Sequence, residues 1–97
     1  MRKGIRESYL NDCAKRAVDV FTFLHVPKST YTSLLDSLFK DMESIYRNIT
    51  DSQIIKLKEF GFDLRSMNLN QRRDTLFQMS LCRVLMKHGY VPNHPVC

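Results

Sequence analysis

The stretch that most constrains this chain is Leu76 to Met86, where eight of eleven residues are apolar: Leu76, Phe77, Met79, Leu81, Cys82, Val84, Leu85 and Met86. A half-exposed helix keeps its apolar residues to a stripe spaced i, i+3, i+4, i+7, so so dense a run predicts a helix surrounded by others. Asn68 or Asn70 is placed to cap its start, and Gly89 followed by Pro92 to close it, giving a central helix over about residues 70–88. Its polar residues gather into one narrow strip: Arg72, Arg83 and Lys87 fall within about 60° of one another at 100° per residue. Arg73 lies beside them.

Three other helices are readable before this one. Leu10, Cys13, Ala14, Ala17, Val18, Phe21 and Leu24 form a single stripe at spacings of three and one, which predicts a first helix over residues 6–24. Pro27 stops it, because proline offers no amide hydrogen and disfavours the helical region for the residue before it. The second helix is expected over residues 30–49, with Tyr31, Leu35, Leu38, Met42 and Ile45 in a heptad seam that Leu34, Phe39 and Tyr46 supplement. That seam suits packing inside the chain, with a homodimer or partner surface as the alternative. Thr50-Asp51-Ser52-Gln53 matches a capping box and starts a third, short helix over residues 51–60, ended by Gly61. The Asn48-Ile49-Thr50 triplet fits a glycosylation sequon, and in this setting reads as one helix end meeting the next helix's cap. The segment from Phe62 to Met67, in which Phe62, Leu64 and Met67 alternate with Asp63 and Ser66, is too short to assign, with another helical turn as the reading it allows.

These elements predict an all-α fold: a compact bundle of four main helices with the C-terminal helix central. At 97 residues the chain is one domain, residues 1–97, with the tail 90–97 loosely ordered. Folding at this size buries roughly 60–68% of the unfolded chain's surface, enough for one core. The opening MRKGIRESYLNDCAKR has no uninterrupted apolar run, so no signal peptide is expected, and no stretch approaches the roughly 18 apolar residues of a membrane span. Three cysteines cannot all pair within one chain, and Cys13 and Cys82 sit on apolar helix faces. The expectation is a cytoplasmic, reducing compartment, with Cys13 and Cys82 as buried thiols and Cys97 as the reactive one.

The net charge of +5 is uneven. Residues 1–28 carry six Lys/Arg against three Asp/Glu, residues 29–63 four against six, and residues 64–97 five against one. Basic ends around an acidic middle favour an acidic partner. Chemistry is poorly served: Cys82, His88, His94 and Cys97 include no closely spaced ligand pair, and Cys82 and His88 are six residues apart, about 240° of rotation around a helix and so on different faces. No phosphate-cradling glycine loop and no nucleophile with a fixed base is evident. The chain is therefore expected to be no enzyme and to carry no metal or cofactor.

Two functional readings remain. The first is a regulatory protein-binding module (an adaptor, inhibitor or assembly subunit) in which the ridge of Arg72, Arg73, Arg83 and Lys87 meets an acidic protein surface. A cation buried without a partner is costly, so that ridge must face either water or a complementary charge. The alternative is nucleic-acid binding through residues 53–72, QIIKLKEFGFDLRSMNLNQR, a degenerate helix-turn-helix-like segment with basic residues on phosphates.

Overall fold

The computed structural model describes residues 7–93. It holds four α-helices, α1 (Glu7–Phe23), α2 (Tyr31–Asn48), α3 (Asp51–Glu59) and α4 (Leu69–Lys87), with 3-10 turns at Lys28–Thr30 and Leu64–Ser66. The expected all-α bundle is observed, with no strand among the described residues. Of the tail, residues 94–97, with His94 and Cys97, lie outside the described residues.

Each helix boundary is set by local chemistry. Thr50 and Asn68 both form capping boxes. The Thr50 hydroxyl accepts from the Gln53 amide at 3.2 Å while Gln53 accepts from the Thr50 amide at 3.0 Å, and Asn68 and Gln71 repeat the exchange at 2.9 and 3.1 Å. Thr50 thus serves as a helix cap, as the sequence indicates.

The three ends of α1, α3 and α4 share one device. A residue at positive φ (His25, Gly61, Gly89) lets the next amide reach back five residues: Val26 to Phe21, Phe62 to Leu57 and Tyr90 to Leu85, all at 2.8–2.9 Å. Glycine adopts this conformation cheaply, whereas His25, at φ 60°, does so against its own Cβ. Sequence reasoning credited Pro27 alone with ending α1. The turn is made two residues earlier, and it buries Val26 in the core.

Two apolar clusters hold the helices together. The larger joins Cys13, Ala17 and Phe21 of α1 to Leu34, Leu38 and Met42 of α2 and to Phe77, Leu81, Val84 and Leu85 of α4. The smaller gathers Ile45, Leu57, Leu64, Leu76 and Met79. α4 contributes to both, and so does α2, against which it packs most extensively. α4 is therefore central jointly with α2, and it is not enclosed on every side: Cys82 and Met86 are half-buried and Gln78 is exposed. The shape explains this. The Cα envelope measures 38 × 35 × 18 Å, and with helix axes about 8–10 Å apart its short dimension holds only two layers of helices.

Within α2 the buried line runs through Leu34, Leu38, Met42 and Ile45, with Tyr31 and Leu35 half-buried beside it. Leu34 thus replaces Leu35 at the seam's centre. α2 packs on α1 as well as α4, so its buried face is wider than a heptad stripe and its middle is displaced. Cys13 is wholly buried and Cys82 only half so, and neither is in a disulfide. The expectation of two fully buried thiols therefore holds for Cys13 and not for Cys82, which lies on the part of α4 left uncovered by the two-layer packing.

Candidate partner-binding groove

The four basic residues of the α4 ridge divide between two places. At the C-terminal end, Arg83 donates from Nη2 to Asp41 Oδ1 of α2 at 2.9 Å, with both side chains largely covered. The complementary charge that Arg83 requires thus comes from its own chain. Arg83 and the exposed Lys87 line a cavity of about 310 Å³ with Ser37, Asp41 and His88. A serine, an aspartate and a histidine share that cavity, yet no hydrogen bond joins them. His88 Nδ1 lies 2.9 Å from the Val84 carbonyl, to which it must donate, and Asp41 is held by Arg83. No nucleophile is activated there.

At the N-terminal end, Arg72 and Arg73 line a separate groove of about 370 Å³. α2 supplies Tyr46 and Ile49, α3 supplies Ile54, and the 3-10 turn supplies Leu64 and Arg65. Leu69 and Leu76 of α4 complete the apolar wall. The capping box at Thr50 turns the chain sharply between α2 and α3, and the Asn68 box does the same before α4. Three helix ends are thereby brought around one depression.

The three arginines are held differently. Arg72 folds back on the 3-10 turn, donating from Nε to the Leu64 carbonyl at 3.3 Å and, at a longer 3.5 Å, from Nη2 to that of Met67. Arg73 stands over the Tyr9 ring with its guanidinium carbon 5.8 Å from the centroid. Arg65 approaches Asp51 at only 3.7 Å, with the side chains 69% and 87% exposed, so this pair contributes little. No carboxylate lines the groove.

Beneath Arg73 lies a buried polar cluster. The hydroxyls of Tyr9 and Tyr46 are adjacent and interact with the Cys13 thiol, but neither meets a partner in hydrogen-bonding geometry. Burial raises the pKa of both phenols and of the thiol, because the charged form of each would be poorly solvated there.

The remaining expected sites are placed as follows. Leu38, Met42 and Ile45 of the α2 seam are in the chain's own core, and Tyr31 and Leu35 pack against it. The helix-turn-helix-like segment has nine residues between its helices, and Leu76, Phe77, Met79 and Ser80 of its second helix are buried. The exposed cations of that helix, Arg72 and Lys87, stand at its opposite ends with Asp74 and Gln78 exposed between them, and Arg72 is turned back to the carbonyls of Leu64 and Met67, so the helix offers no continuous basic face to DNA. Among the described residues no three His, Cys, Asp or Glu side chains are grouped to hold a metal ion, and no helix is long and apolar enough to cross a membrane.

Sequence reasoning missed Arg65, Leu69 and the apolar wall. Arg65 lies in the unassigned segment 62–67, and only folding brings it beside Arg72. Comparison with known proteins adds nothing to this picture: no family model, no curated protein and no solved structure matches the chain.

Proposed function

We propose that this chain is a small non-enzymatic protein-binding module, and that the end of the molecule built from α3, the second 3-10 turn and the start of α4 is its contact surface. One observation carries this reading. Of the five large apolar side chains left exposed among the described residues, four lie between residues 55 and 69: Ile55 at 54%, Phe60 at 47%, Phe62 at 48% and Leu69 at 57% exposure. Single exposed apolar residues are ordinary, but four of them along the short stretch from α3 to the start of α4 favour a surface that a partner covers. The backbone closure at Gly61, from the Phe62 amide to the Leu57 carbonyl, and the two capping boxes define the chain path at that end.

The test is a selection from a displayed peptide library on the folded protein, with a Phe62→Ser/Leu69→Asp double variant as counter-target. Peptides that bind the parent and not the variant are the expected result. Binders indifferent to the variant, or a duplex-DNA affinity that falls steeply with salt, would contradict it.

A further inference from the structure

We infer that the groove between the end of α2, the start of α3 and the first turns of α4 seats an acidic amphipathic segment of a partner protein. The apolar side chains of that segment enter between Ile54, Leu64 and Leu69, and its carboxylates meet Arg65 and Arg73. This rests on the protein-binding reading above and adds the chemistry that the partner carries.

Charge complementarity decides the occupant. Every charged residue lining the groove is an arginine. Covering the groove with a neutral or basic segment would take guanidinium groups out of water without a counter-charge, and that is costly. Carboxylates avoid the cost, because the planar fork of arginine fits them in two parallel hydrogen bonds. Arg65 is available, since its contact with Asp51 is long and solvated. Arg73 stands over the Tyr9 ring at 5.8 Å, a contact that leaves its N–H donors unspent for a ligand. Arg72 acts as a positioning residue: its bonds to the carbonyls of Leu64 and Met67 fix the turn that carries Leu64 and Arg65.

The same surface suits other anions poorly. Phosphate backbones offer nothing to the apolar wall. An anionic bilayer would meet residues 51–65, where Lys56, Lys58 and Arg65 are matched by Asp51, Glu59 and Asp63, leaving no positive excess around Phe60 and Phe62. The helix-in-groove mode, with apolar anchors at i, i+3, i+4 and i+7, satisfies wall and rim together.

The test uses a synthetic amphipathic peptide of about four helical turns, with leucines at those spacings and Glu, Gln or Lys in turn at the flanking positions, read by fluorescence anisotropy. The Glu version should bind the parent about tenfold or more tighter than the Gln version, the scale of one well-placed charge-assisted bond. An Arg65→Glu/Arg73→Glu variant whose thermal melt matches the parent should reverse the order and prefer the Lys peptide. Leu69→Asp should abolish binding of all three. Equal binding of the three peptides by the parent, lost in Leu69→Asp, would leave the protein-binding reading standing and overturn the acidic class. Failure of every peptide to bind, or binding indifferent to Leu69→Asp, would overturn the groove as the seat. Sedimentation showing a dimer that Leu69→Asp dissociates would give the groove to a second copy of the chain and also overturn it.

Discussion

Arg83 shows what a helical wheel cannot see. Periodicity places it on one line with Arg72 and Lys87, and the physics that forbids a buried lone cation correctly demands a counter-charge. The counter-charge is Asp41, forty-two residues away on α2, and only the packing of α2 on α4 brings it there. Arg72 likewise spends two of its donors on the 3-10 turn. The cysteines separate along the same boundary between pattern and packing. Wholly buried Cys13, its thiol pKa raised by burial, should resist a thiol reagent in the native protein, while half-buried Cys82 should react measurably. Mass spectrometry of the labelled protein checks this, and equal labelling of the two would contradict it.

The tyrosine pair gives a pH prediction. Tyr9 and Tyr46 have pKa values raised above the ordinary 10.0 by burial, so near that pH the unfolded chain loses protons that the folded chain keeps. Stability is therefore complete below the unfolded value and falls as pH rises through and above it. Chemical denaturation at stepwise pH should show a decline at alkaline pH that Tyr46→Phe makes shallower. A decline of unchanged slope in that variant would remove the hydroxyl from the account.

At the scale of the element, the sequence is most legible where one short-range device decides the outcome. The stripe of α1, the capping box at Thr50 and the glycines at 61 and 89 place all four helices to within one residue of their observed ends. The helical turn that the segment 62–67 allows is present at Leu64–Ser66, but it depends on Asp63 accepting from the Arg65 amide and on Leu64 entering the second core, neither of which leaves a periodic trace. At the end of α1 the positive φ falls on His25, a residue that adopts it more often than most side chains but far less readily than glycine. Replacing it by glycine should raise stability by about 0.5–1 kcal/mol, since the Cβ clash outweighs the added freedom of the unfolded chain. A loss of stability on denaturant titration would show the turn to be unstrained. In the shared core of α2 and α4, Leu81→Ala should cost about 2–5 kcal/mol, a large part of what a domain of this size holds.

For the whole molecule, the helices and their apolar faces were legible, but the layer arrangement was not. Eight apolar residues in eleven suggested a helix enclosed by others. A chain of 97 residues instead forms two layers, which leaves Cys82 and Met86 partly open and gathers the ends of α2, α3 and α4 at one edge. The groove is a property of that edge, assembled from residues 46 to 76, and no local window of sequence contains it. The most direct measurement is a titration of the ¹⁵N-labelled protein with the glutamate-flanked amphipathic peptide, followed by amide chemical shifts. The account predicts saturable shifts at Ile49, Ile54, Leu64, Arg65, Leu69 and Arg73, with Ser37, Asp41, Lys87 and His88 unmoved. Shifts confined to the Asp41–Arg83 end, or none at saturating peptide, would contradict it.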